Sequence, residues 1–154
     1  MAAQETVDRL IEAINDHDLA RIASCYGKGA RVWDPFYPEA LEGWAIVQDY
    51  LDLFTAFPDV ELRPRTVLGD ENAIANEVLL VAGGAGSLLR WTSSGVEGAV
   101  KPLRLQAGIF TSVDRCGLVV EERRYYDVDC LLEQLHGRHL APAVEAPLVE
   151  TLMR

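Results

Sequence analysis

A chain of 154 residues, 49% hydrophobic and 25% charged, has the composition of one globular domain, which excludes disordered, collagenous and low-complexity classes. Its 24 acidic residues against 14 basic ones leave a formal net charge of −10, which argues against nucleic acid or an anionic membrane as main partner, since both want a basic face. No apolar run approaches the roughly 20 residues that span a bilayer. The start, MAAQETVDRL, lacks the basic and apolar regions of a secretory signal, so the expectation is a soluble, cytoplasmic protein.

Val7, Leu10, Ile11 and Ile14 fall at i, i+3, i+4 and i+7 and predict a first amphipathic helix. Asn15-Asp16-His17-Asp18 breaks it, and Asp18 is placed to cap a second short helix carrying Leu19, Ile22, Ala23 and Tyr26, stopped by Gly27 and Gly29. Residues 30–34 read as a short strand ended by Pro35. After the loop FYPEALEG comes a third helix over 44–57, with Ile46, Val47, Tyr50, Leu51, Phe54 and Phe57 on one side. From residue 60 the period becomes that of a strand, over 60–68, 73–82, 87–92, 101–113 and 118–127. Short turns join these strands, which predicts antiparallel pairing. A last helix over 128–135 closes the pattern. The division is one domain over 1–137 and an Ala/Pro-rich tail over 138–154.

Helices followed by an antiparallel sheet give an α+β class. A sheet of this length twists and curls around the helices on one face. The resulting cone encloses a space suited to a small molecule. Cys25, Cys116 and Cys130 are odd in number and contain no CxxC, which favours buried free thiols over disulfides or zinc. His17 falls in a polar turn, and His136 and His139 have no carboxylate at ligand spacing, so no metal site is expected.

Two places carry candidate chemistry. On the last strand, alternation puts Glu121, Arg123, Tyr125 and Asp127 on one face and Glu122, Arg124 and Tyr126 on the other. One face looks into the hollow, and a carboxylate ending such a row, beside a tyrosine and near an arginine, is a candidate acid–base group. The alternative is a structural ion-pair ladder, Glu121 with Arg123. The second place is Asp34, at a strand end among Trp33, Phe36 and Tyr37. Aromatic crowding there would desolvate the carboxylate and bring its proton affinity toward neutral pH. The alternative is an Asp that caps the turn before Pro35. Gly83-Gly84-Ala85-Gly86 precedes no helix and reads as a hairpin or bulge rather than a phosphate cradle. Ser93-Ser94 and Thr111-Ser112 have no histidine at triad spacing.

The order helix, short helix, strand ending Trp33-Asp34-Pro35, then Glu42-Gly43 opening a helix that ends Ala56-Phe57-Pro58-Asp59, resembles a SnoaL-like polyketide cyclase. So does Glu121-x-Arg123-x-Tyr125-x-Asp127 followed by Leu131-Leu132-x-Gln134-Leu135. The resemblance covers residues 4–136 and implies the cone-shaped α+β fold of the nuclear transport factor 2-like superfamily. It implies ring closure by intramolecular aldol condensation of a hydrophobic polycyclic keto ester, without metal or organic cofactor. A pocket aspartate would remove the proton beside a carbonyl: Asp127 first, Asp34 second. Trp33, Phe36, Trp91, Phe110 and Tyr125 would form flat apolar walls, with Gln106, Glu121 and Arg123 supplying polar contacts. Ketosteroid isomerases of the superfamily hold an oxyanion with two donors whose places here fall on Leu10 and Gly108, which argues against that isomerase reaction. Epoxide hydrolases of this fold use an Asp-Arg-Asp arrangement, which Asp34, Arg123 and Asp127 could imitate with Tyr125 holding water. A non-catalytic small-ligand-binding or dimerisation module is the remaining reading. An exposed outer sheet face points to a homodimer.

Overall fold

The computed structural model describes residues 2–83 and 102–136. Trp91, the strand over 87–92, Gly84 to Gly86, Ser93-Ser94, His139 and the tail over 138–154 lie outside the described residues.

The helices form where the apolar period predicts them. Helix α1 spans Ala3–Asn15 and buries Val7, Leu10 and Ile14. Helix α2 spans Leu19–Cys25, and its cap is Asp18, whose side chain accepts from the Arg21 N–H. Helix α3 spans Trp44–Ala56 and α4 spans Val128–His136. Between α1 and α2 the chain turns on His17, whose φ of 53° lies in the left-handed region that favours glycine. His17 is held there by stacking on Phe54, centroids 4.1 Å apart, and by a 2.9 Å hydrogen bond between Nε2 and the Val60 carbonyl.

The six strands are β1 (Tyr26–Trp33), β2 (Leu41–Glu42), β3 (Glu61–Gly69), β4 (Ala73–Ala82), β5 (Leu103–Val113) and β6 (Val119–Tyr125). They form one sheet in the order β2-β1-β6-β5-β4-β3. Neighbours from β3 to β6 pair antiparallel, β3 with β4 and β5 with β6 through short turns. Strand β1 pairs parallel to β6, Val32 opposite Glu122 and Trp33 opposite Arg123. This arrangement departs from the sequence reading, in which Gly27 and Gly29 merely ended a helix. Both glycines lie inside β1, which begins at Tyr26 because the ladder with Val119 continues past them. Edge strand β3 is almost wholly exposed and carries Arg63, Pro64 and Arg65, which blunt further pairing.

Alternation then separates two faces. Inward point Ala30 and Val32 of β1, Ile74, Asn76, Val78 and Leu80 of β4, Leu103, Leu105, Ala107 and Ile109 of β5, and Glu122 and Arg124 of β6. The helices cover this face, and the core gathers Leu10, Ile14, Ile22, Ile46, Tyr50 and Val78 between the layers. Asn15 stitches α1 to β3 through both Leu62 backbone groups, at 2.7 and 3.0 Å. Gln134 does the same for α4 and Arg104 of β5, at 2.7 and 2.8 Å. Of the cysteines only Cys25 is buried; Cys116 is exposed and Cys130 half-buried, because the turn before β6 and the first turn of α4 both reach solvent.

Candidate functional site

The curled sheet and helices enclose a cavity of about 840 Å³, its open mouth included. Its walls are mostly aliphatic, among them Leu53, Leu80, Leu103 and Leu105. Polar groups gather at one place: Asp34, Tyr37, Asp49, Arg124 and Tyr126. Each is put there by its backbone. Asp34 continues the inward row Ala30-Val32 as β1 ends, and the Phe36 N–H donates to its Oδ1 at 2.9 Å. The carboxylate therefore caps the turn before Pro35 and also faces the cavity. Asp49 lies on α3 three residues after Ile46, on the stripe that continues through Tyr50 and Leu53. Arg124 and Tyr126 are the inward row of β6 and its exit.

Arg124 is the hub. Its Nη1 donates to Asp49 Oδ2 at 2.6 Å and to Asp34 Oδ2 at 3.1 Å, while its Nε donates to Glu122 Oε1 at 2.7 Å. The guanidinium carbon sits 5.1 Å from the Tyr50 ring centroid. Each carboxylate also accepts a phenol: Tyr126 donates to Asp34 at 2.5 Å, Tyr37 to Asp49 at 2.7 Å, and Tyr26 to Glu122 at 2.8 Å. Burial, followed by the charge of Glu122, pushes the Tyr26 and Tyr50 phenols up. Burial and the neighbouring Asp34 do the same to Tyr126. All three keep their protons at neutral pH and act as neutral donors. Burial alone would lower the proton affinity of Arg124, but Tyr50, Glu122, Asp49 and Tyr26 outweigh it and hold the guanidinium well above its usual value.

Of the residues expected from sequence, Asp34 and Phe36 line this cavity. The odd row of β6 does not. Glu121 and Arg123 pair with each other at 2.8 Å on the outer face, which is the ladder alternative. Tyr125 is exposed and meets exposed Phe110 edge-on, centroids 5.7 Å apart. Trp33 lies outside beneath Arg31 and Arg123, at 5.0 and 5.3 Å. Gln106 points outward on β5, and so does Gly108, opposite Tyr125. Asp127 is exposed, and its carboxylate accepts the Cys130 N–H at 3.0 Å, capping α4. For the β6 row the physical cause is one of phase. Strand β6 is polar on both faces, and the irregular register between Ser112 and Val113 sets its phase, so alternation alone does not say which row turns inward.

Sequence reasoning therefore missed Tyr37, Asp49, Tyr50, Glu122, Arg124 and Tyr126. Two signals were present. Asp49 interrupts an otherwise apolar helix stripe, and Asp127 stands one residue before a predicted helix, where capping is an aspartate's commonest work. Among the described residues no group of three or more His, Cys, Asp or Glu is arranged to hold a metal ion. Nor is any described helix long and apolar enough to cross a membrane.

A family model of the SnoaL-like domain matches residues 7–122. The chain belongs to the SnoaL-like domain family. Among solved structures, AclR from Streptomyces galilaeus, a candidate hydroxylase, superposes with a TM-score of 0.74 at 17% identity over 98% of this chain and 91% of its own. A candidate SnoaL-like polyketide cyclase from Jannaschia sp. CCS1 gives 0.70 at 16% identity, over 89% and 93%. An LEH-like epoxide hydrolase of M. tuberculosis gives 0.64 at 14% identity, over 86% and 88%. No curated protein matches the sequence. At such identities the solved structures establish the shared nuclear transport factor 2-like fold, whose cavity hosts more than one chemistry.

Proposed function

We propose that this SnoaL-like protein is an acid–base enzyme that closes a ring by intramolecular aldol condensation of a hydrophobic aromatic keto ester, with Asp34 as the base. The observation that carries this reading is the Asp34–Tyr126 contact, a carboxylate accepting a phenol at 2.5 Å in an otherwise largely apolar cavity. Enolisation needs that pair. The carboxylate takes a hydrogen from the carbon beside a carbonyl, while the phenol donates to the carbonyl oxygen as negative charge gathers there. The aliphatic walls hold the chain folded, so that attack on a second carbonyl is effectively unimolecular.

The test needs no native substrate. In deuterium oxide, the wild type should accelerate exchange of the α-hydrogens of β-tetralone, and Asp34→Asn should lose about a hundredfold or more of that acceleration. Equal exchange by wild type and variant would sink the reading. A ketone that binds without exchanging would leave a small-ligand-binding module in its place.

Arg124 Nη1, shared by two cavity carboxylates, supports a second reading, opening of an epoxide by water, with Asp34 and Asp49 flanking the guanidinium. Heavy-oxygen water separates the two, since epoxide opening incorporates its oxygen and aldol closure does not. Outside the cavity, exposed Phe110 and Tyr125 beside the Arg31–Trp33–Arg123 stack support pairing of two copies through the outer sheet face.

A further inference from the structure

The polar cluster is built as two matched halves. On the sheet side, Tyr126 donates to Asp34 Oδ1; on the helix side, Tyr37 donates to Asp49 Oδ1. The remaining oxygen of each aspartate accepts from the same nitrogen, Arg124 Nη1, at 3.1 and 2.6 Å. All five side chains line the cavity. A site that only removed a carbon-bound hydrogen would need one half. The second half stands on a different element, α3 and the loop before it, so the two carboxylates face the cavity from different sides of one fixed cation. Glu122 fixes that cation from behind, through Nε, and is itself sealed from solvent.

We infer that Asp49, oriented by Tyr37, is a second proton carrier, which serves the oxygen of the bond-forming carbonyl while Asp34 serves the carbon. This inference rests on the aldol reading and divides its labour. In the forward direction Asp34 takes the α-hydrogen as a proton, and the electron pair of that C–H bond becomes the enolate. The enolate carbon forms the new C–C bond, and the π pair of the attacked carbonyl moves onto its oxygen. That alkoxide takes the proton carried by Asp49. Asp34 ends with one proton more and Asp49 with one fewer, so the pair holds one proton before and after the reaction and two while the enolate stands, and exchange with water at the mouth restores the start. Arg124 Nη1 stays cationic between them and stabilises whichever carboxylate is ionised.

The two half-reactions can be measured apart. Exchange of β-tetralone hydrogens needs a base at carbon. Retro-aldol cleavage of a naphthyl β-hydroxyketone needs in addition a base at the hydroxyl oxygen, and it releases a fluorescent aldehyde. With Asp49→Asn, cleavage should fall by about a hundredfold or more, while exchange falls by no more than about tenfold. Tyr37→Phe should act in the same direction more weakly, and Asp34→Asn should stop both reactions. Thermal unfolding of each variant shows whether the fold is kept, and Asp49→Glu, which retains the carboxylate, should recover part of the cleavage. Equal loss of both reactions in Asp49→Asn would overturn the division of labour, as would a wild type that exchanges hydrogens without cleaving. A wild type that does neither would overturn the base reading itself.

Discussion

Replacing Arg124 by methionine keeps an unbranched apolar stem as far as the place of Nε and removes the charged end of the side chain. Three carboxylates then lose their shared cation, but not equally. Asp34 retains the Tyr126 and Phe36 donors, and Asp49 retains Tyr37; both border the cavity, where water can reach them. Glu122 retains only the Tyr26 hydroxyl, and its side chain is 2% exposed. Its uncompensated charge dominates the cost, which for a buried pair broken on one side is about 3–5 kcal/mol. That is a large share of the roughly 5–15 kcal/mol that holds a domain together. Removing the second charge as well, with Arg124→Met and Glu122→Met combined, should return the protein to within about 2 kcal/mol of wild type, because an apolar pair of similar volume replaces a desolvated ionic one. Urea unfolding followed by circular dichroism at neutral pH measures both variants. A single variant within about 1 kcal/mol of wild type, or a double variant no more stable than the single, would refute the view that Arg124 is the countercharge of a sealed Glu122.

Three further outcomes are expected. The phenols of Tyr26, Tyr50 and Tyr126 are pushed above the ordinary value of 10, so their contribution to stability is complete below that pH and is lost as pH rises past it; tyrosinate absorbance for these three should appear only together with loss of the circular dichroism signal. Glycine at His17 relieves the positive φ but deletes the Phe54 stack and the Val60 hydrogen bond, for a net loss of about 1–2 kcal/mol read from the urea midpoint. Phe110→Asp, on the outer face, should convert a dimer to a monomer in light scattering while leaving β-tetralone exchange unchanged; a wild type that is already monomeric would count against the outer-face dimer.

Period and punctuation in the sequence located the helices and four of the strands within a few residues. An apolar stripe at helical spacing, an Asp before Leu19 and a Pro after Asp34 are local signals, and local hydrogen bonds answered them. What was not legible depends on partners far along the chain. Strand β1 extends back to Tyr26 only because Val119 is there to pair with it. The choice between Asp127 and Arg124 depended on the phase of β6, which is decided by register against β5 and not by the residues of β6 themselves. Asp34 was recognisable because its surroundings are close in sequence. Its partners Arg124 and Tyr126 lie 90 and 92 residues away, so only the fold shows them.

Those separations bear on the order of events as the molecule forms. Strands β3 and β4, and β5 and β6, can zip together as hairpins through short turns, but β1 waits for the last strand before it has a long neighbour. Closing such a distant contact is entropically costly and slow. Asp34 and Arg124 stand on the two sides of that seam, so the hub cannot exist in a chain that has folded only its hairpins. On a ribosome it must wait until β6 has emerged. Binding at the polar end of the cavity is thus a reporter of the final closure, and a ligand that bridges Asp34 and Arg124 would bolt β1 to β6 across that seam.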